Sequence, residues 1–366
     1  MRNEISTELQ GRRIAILLLV TAVAASACTA HKSPGAGANS GSPAKPATVL
    51  APLTGLIFPA ASPLVRRPAL AVKIENTPDA RPQSGLEKAD IVYEEEVEGG
   101  ITRFIAIFQS RDAAVIGPVR SARPEDPDIL RQYGAILAFS GGAQYVIDHI
   151  RQTPNVVMLG PSQAGSAFYR VRFRPAPHNL YSSTAALFRI ERNRDLKPPP
   201  PPFSFSNVVP TPMPSPSPSA SPSVTSSPSP IVKSGLSVSV AFSTATYTAN
   251  WRWVATLKSY LRFEGALPHR SASGQQLRAQ NVLLVFVKTH PSAHRDAAGN
   301  TTPIAQVVGS GAAILFRNGV QIRGKWVRAS LADPMVFTTT IGSPLLFAPG
   351  VTWVELAPVG TRVRSS

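Results

Sequence analysis

IVYEEEVEGGITRFIAIFQ (Ile91 to Gln109) is the stretch on which the fold reading turns. Two extended runs, Ile91 to Glu98 and Ile101 to Gln109, flank Gly99-Gly100, and a glycine pair between such runs is a strong hairpin signal. With a two-residue turn, Glu96 faces Arg103 as a cross-strand ion pair. Strand alternation then puts Glu94, Glu96 and Glu98 on one face and Glu95 on the other.

Upstream, Leu70 to Ile74 reads as a strand halted by Pro78 and Pro82. Downstream, strand-like and helix-like segments alternate. Val115 to Val119, Ala135 to Phe139 and Val156 to Leu159 read as extended, whereas Pro124 to Gln132 and Ala143 to Arg151 read as helices. Ser182 or Ser183 caps a last helix running to Arg192. An antiparallel hairpin within alternating elements predicts a mixed sheet covered by helices, a mixed α/β domain over residues 53–205.

Residues 206–234 form a Pro/Ser-rich linker. Ser and Pro alternate from Pro210 to Pro230, a composition that predicts an extended polyproline-type spacer and an acceptor for O-glycosylation. Residues 235–366 read as a mostly antiparallel β domain of short runs separated by turn residues. Asn318-Gly319 is a type I′ hairpin signal. Beyond it Ile322 and Trp326 share one face while Gln321, Arg323 and Lys325 share the other. The fold class is therefore α+β, with two domains expected to carry their own cores.

At the start of the chain, Arg12 and Arg13 precede an apolar run, Ile14 to Ala27, that is short for a spanning helix. Residues 1–28 thus read as a secretory signal peptide. Ala25-Ser26-Ala27-Cys28 resembles the bacterial lipobox, with Ala25 where Leu is commoner, and implies diacylation of Cys28. Ordinary signal cleavage beside an idle cysteine is the alternative. Two acyl chains anchor stably. Residues 29–52 then form a tether with a reach of about 25 Å, and the folded mass is expected on the extracytoplasmic face of the cell membrane. Cys28 is the sole cysteine, which excludes intrachain disulfides and cysteine-based zinc sites.

The formal net charge is +16, and the span Lys233 to Arg364 holds fourteen Lys and Arg against four acids. That excess either serves solubility or draws the protein to an anionic envelope polymer or phospholipid surface. Aromatic–basic interleaving of the nucleic-acid-binding kind is missing, so nucleic acid is not an expected partner; no protein partner is legible.

At several of these places the chain resembles the YerB-like lipoproteins, a family described as domain of unknown function 3048. The stretches are Arg81 to Ser110, IGPVRSARP (Ile116 to Pro124), APHNLY (Ala176 to Tyr181), NVLLVFV (Asn281 to Val287), Val308 to Trp326 and PGVTWVEL (Pro349 to Leu356). They span both proposed domains. The resemblance implies a lipid-anchored two-domain protein and supplies no catalytic residue.

Three groups of residues have the chemistry for a site. Arg120, Ser121 and Arg123, between a strand and a helix start, form an anion cradle for phosphate or carboxylate unless Glu125, Asp126 and Asp128 take up the arginines. Glu94, Glu96 and Glu98 would hold a divalent cation or act as catalytic carboxylates, the alternative being a solvated face paired with Arg81 or Arg103. His178 is either a general acid–base or a structural histidine. GxGxxG and a Walker lysine are both missing, so no cofactor is expected. The expected role is a cell-envelope binding or scaffold lipoprotein with an anion site; the alternative is a carboxylate/histidine-dependent hydrolase or transferase acting on an envelope substrate.

Overall fold

A computed structural model describes residues 47–211, 230–242, 247–295 and 299–366. Cys28, the signal-peptide reading, most of the tether and the Ser-Pro spacer lie outside these residues. In the first region, β1 (Leu70–Glu75), β2 (Ile91–Glu96), β3 (Thr102–Phe108), β4 (Ile136–Ala138) and β5 (Val157–Leu159) form one continuous sheet in the order β2-β3-β1-β4-β5. The helices are α1 (Asp126–Leu130), α2 (Gln144–Gln152), the one-turn α3 (Pro161–Ala164) and α4 (Thr184–Ile190), the last capped by Ser183, whose hydroxyl accepts from the Ala186 N–H. The Val115 to Val119 run is extended but makes only isolated bridges, to Ile74, Ser84 and Ser182.

The hairpin is present with a register one residue away from the expected one. Val97 N–H donates to Ile101 O, so the turn has three residues, with both Gly99 and Gly100 at positive φ. Glu95, not Glu96, therefore faces Arg103, and Glu96 faces Thr102. A one-residue slip moves every later side chain to the other face.

The second region contributes β6 (Val232–Ser234), β7 (Ser237–Ala241), β8 (Thr248–Val254), β9 (Ser259–Glu264), β10 (Asn281–Val287), β11 (Gly309–Arg317), β12 (Val320–Arg328), β13 (Val336–Thr339), β14 (Thr352–Pro358) and β15 (Arg362–Ser365). Asn318 and Gly319 turn β11 into β12 at positive φ, and Ile322 and Trp326 are buried while Arg323 and Lys325 are exposed. Strands β9 and β15 had no counterpart in the sequence reading, and β6 falls within residues 206–234, read as linker, yet pairs antiparallel with β12. β9, β8, β7 and β15 pair antiparallel in a second sheet.

The remaining strands extend the first region's sheet. Its order is β6-β12-β11-β10-β14-β2-β3-β1-β4-β5, with β13 on β12. The join is the parallel pair β14–β2, in register Thr352↔Ile91 to Leu356↔Glu95. Both apolar clusters mix residues of the two regions: Ile105, Leu137 and Ile150 share one with Leu283 and Trp326, and Phe104 and Val72 share the other with Trp251 and Trp353. The expectation of a separate core for each region does not hold, because β14 needs β2 as its second neighbour. Residues flanking the spacer also rest on the second region. Ser204–Phe205 pairs with Leu346–Phe347, and Arg317 donates to the Ser206 and Val208 carbonyls.

Candidate functional site

β10, β14, β2, β1, β4 and β5 all run parallel, with β3 alone reversed among them. Their carboxyl ends share one edge of the sheet, where α/β sheets characteristically take ligands. Glu75 ends β1 there and Arg103 lies beside it at the start of β3. The segment after Gly117 is laid across this edge by backbone bonds: Glu75 N–H donates to Pro118 O, Arg120 N–H to Lys73 O, and Ser140 N–H to Arg120 O. Ala122 N–H donates to Gly141 O, so Ser140 and Gly141 both help hold this segment.

Arg120 Nε lies 3.3 Å from Glu75 Oε1, and His178 Nδ1 lies 2.9 Å from Glu75 Oε2. The Glu75 carboxylate is buried and joins the two. Arg123 is engaged differently. Its Nε donates to Glu98 Oε2 at 2.9 Å, a second guanidinium nitrogen binds the same oxygen, and its Nη1 donates to the Ala122 carbonyl. Arg103 Nη1 donates to Ser121 O, while Arg103 Nε is buried without a hydrogen-bond partner. Burial, then the positive charges of Arg123 and Arg120, push the Arg103 guanidinium down to about 9. It stays charged at neutral pH, in surroundings that disfavour the charge.

Of the acids expected to take up these arginines, Asp126 instead caps Arg123 N–H and pairs with Lys73, and Asp128 bonds His149 at 2.9 Å. Below the cluster, Lys73 bridges Glu95 and Asp126 in full burial. Burial pushes Glu95 up to about 8 against the pull of Lys73, and pushes Glu125 well above the usual carboxylate range. Burial would also raise Glu98, but Arg123 and Thr302 more than offset it and hold the group below its ordinary value.

The three candidate carboxylates do not share a face. Glu94 lies on the opposite side of the sheet, 2.7 Å from the buried Arg262. Glu96 lines a separate groove of about 670 Å³ with Arg362 and Arg364. Glu98 leaves the strand pattern in the turn and reaches Arg123. Thus Arg120, Ser121, Arg123, Glu98 and His178 come together, whereas Glu94 and Glu96 do not join them. Among the described residues no group of three His, Cys, Asp or Glu side chains has the spacing to hold a metal. Glu75, at the centre of the cluster, was missed by the sequence reading. Its only local signal was its place at the end of a strand, since its partners are 45 and 103 positions away.

A hairpin of Tyr169–Arg170 and Leu180–Tyr181 holds the His178 loop. Arg170 lies on the first strand, and the loop carries Arg172 and Arg174, of which Arg174 donates to the Asp79 and Pro82 carbonyls; the loop's Phe173 is 73% exposed.

Shared sheet and arginine cluster together define an α+β protein in which two sequence regions complete one mixed sheet, with a cluster of arginines at its carboxyl edge. Residues 53–197 match the N-terminal domain, and residues 238–354 the C-terminal domain, of “Protein of unknown function (DUF3048)”, and the chain belongs to this family. It is 29% identical over 311 residues to “Putative lipoprotein YerB” of Bacillus subtilis (strain 168), covering 84% of this chain and 86% of that one. It is also similar to the crystal structure of YerB protein from Bacillus subtilis, with a TM-score of 0.70 and 26% identity over 87% of this chain and all of that chain. Among the described residues no helix is long and apolar enough to cross a membrane.

Proposed function

We propose that this protein is a lipid-anchored envelope lipoprotein whose carboxyl-edge cluster binds an anionic ligand. Acylated Cys28 would hold it on the outer face of the cytoplasmic membrane; the lipobox-like stretch and the relative named as a lipoprotein support this part. One observation carries the binding site. Burial first, and then the nearby charges of Arg123 and Arg120, disfavour the Arg103 guanidinium, and its Nε is left buried and unpaired. A bound anion would relieve that repulsion and take the free donor. Arg120 is the most accessible of the three, and exposed Arg170 and Arg172 on the adjacent hairpin extend positive charge outward, toward a phospholipid surface or an anionic envelope polymer.

Titration calorimetry of soluble, phosphate-rich cell-wall fragments against wild type and Arg120→Ala tests the reading. Arg120 is partly exposed and outside the core, so its loss leaves the fold intact and lowers affinity about tenfold, the worth of one charge-assisted contact. Equal affinity in both proteins sinks the proposal.

The enzyme reading is favoured by a different observation, the 2.9 Å His178–Glu75 contact. A carboxylate that fixes Nδ1–H leaves Nε2 free as a base. The carboxylate serving His178 is Glu75 in place of Glu94, Glu96 or Glu98. Hydrolysis of an envelope ester that is lost in His178→Ala, with binding retained, would favour this reading over simple binding.

A further inference from the structure

On the opposite edge of the sheet, at the amino ends of β2, β10 and β14, the two regions enclose a groove of about 520 Å³. Lys88 and Arg111 line it from the first region, Lys258 and Arg278 from the second, with Glu87 as the one acid among its walls. It lies away from the edge where such sheets usually take ligands, so the case rests on its own residues.

The cations are of two kinds. Arg111 is already committed: it donates to the Glu87 and Ala89 carbonyls and lies 3.6 Å from the buried Asp90. Lys88, Lys258 and Arg278 are exposed and have no side-chain hydrogen bond or ion pair among the described residues. Three cations without partners around one concavity, against the single acid Glu87, give the groove a net positive potential that favours a ligand of opposite charge.

The floor is built and rigid. Gln280 Oε1 accepts from Val351 N–H, its Nε2 donates to Ser259 Oγ, and Gln276 donates to Arg262 O. At Gly350, with φ +134°, an added Cβ would lie 2.3 Å from the Gln280 side chain, so the backbone closes directly on that amide. Gln275, exposed at the rim, keeps a free amide for a hydroxyl or an anion.

Lys258 adds a second, independent sign. It closes the turn after Leu257 at φ 46° and ψ 43°, a left-handed position where Gly or Asn is usual. A lysine there is strained for its own side chain, and strain of this kind collects at functional positions.

We propose that this groove binds the phosphodiester of a polyol or sugar phosphate. Flexible ammonium groups act as point charges that suit a phosphate approached from several sides, and the volume is within the range of small-ligand sites. Lys88, Lys258 and Arg278 neutralise the phosphate, and Gln275 takes a neighbouring hydroxyl. The proposal does not depend on the Arg120 cluster, which lies at the other edge.

Two probes separate the sources of such a phosphodiester: a soluble glycerol-phosphate oligomer, and vesicles of phosphatidylglycerol in phosphatidylcholine. Binding of either to the protein from residue 47 onward, weakened at least about tenfold in K88A/K258A/R278A and retained in Arg120→Ala, supports the groove; the charge-assisted contacts removed are each worth about a factor of ten. Oligomer binding assigns a polymer phosphate, and vesicle binding alone assigns a lipid headgroup. Lys258→Asn is the second variant. It relieves the left-handed strain, so its melting temperature rises while binding weakens. Neither probe binding at low salt, or equal binding by wild type and the triple variant, overturns the proposal.

Discussion

Arg262 sits in full burial, 2.7 Å from Glu94, 3.1 Å from Glu264 and 3.3 Å from Glu355, with Trp251, Trp353 and Phe104 against its guanidinium. Burial opposes its charge, yet the three carboxylates outweigh it and hold Arg262 above its ordinary value, while burial raises Glu264 and Glu355. An arginine can only donate, so His269 Nδ1 accepts from Arg262 Nε and its Nε2–H donates to Gln83. Burial, then Arg262 and Arg81, hold His269 neutral, well below the usual histidine range. Arg262→Met leaves buried Glu94 and Glu355 without their cation, Glu264 keeping Arg81 at 3.6 Å, and is expected to cost about 3–5 kcal/mol in urea unfolding. Glu95 gives the second prediction at this scale. Its folded value, about 8, exceeds the unfolded 4.5, so the folded state binds the extra proton. Its stabilising contribution is complete below about pH 4.5 and is lost as pH rises through about 8, at up to about 1.4 kcal/mol per pH unit. Glu95→Gln, fixed in the neutral form, should flatten the stability profile between those values; an unchanged slope would show that the proton resides elsewhere.

The β2–β3 hairpin shows how one turn residue redirects chemistry. A two-residue turn would have set Glu96 against Arg103, whereas the three-residue turn puts Glu95 there and sends Glu96 to a groove on the far side. The Gly pair was legible as a hairpin. Its length was not, because both turns accept glycine at positive φ and the choice falls to packing. Gly99 has φ +69° with open space around its Cβ position, so Gly99→Ala carries conformational strain and no clash. About 1 kcal/mol of destabilisation is expected. Chemical denaturation reads it directly, and a neutral result would mean that the turn relaxes to another form. Asn318-Gly319, by contrast, was readable in type and register together, since Arg317 pairs with Val320 across a two-residue loop.

For the molecule as a whole, the β14–β2 pair decides integrity. Polar contacts reinforce that join: Arg328 Nη1 donates to Asp128 O, Met335 N–H to Gln132 Oε1, and Thr302 Oγ1 to Glu98. Residues 47–211 and 230–366 produced as separate polypeptides each expose a long open strand edge and half of an apolar cluster. Neither should unfold cooperatively alone, and mixing should yield a one-to-one complex with a single transition. A sharp independent melt of the second fragment, unchanged by adding the first, would contradict the shared core.

Local chemistry in the chain was enough to set the strands with clear alternation, a helix capped at Ser182 or Ser183, the presence of the two hairpins and the cationic segment around Arg120, because each depends on neighbours within a few positions. Family membership was also legible, being a matter of short stretches in order. Tertiary structure alone decided that both regions share one sheet, that Glu75 serves His178, and that Glu94 lies under Arg262 rather than beside Arg123. Those outcomes depend on which distant strand supplies the missing edge and which buried charge supplies the counterion. Neither choice is encoded by periodicity along the chain.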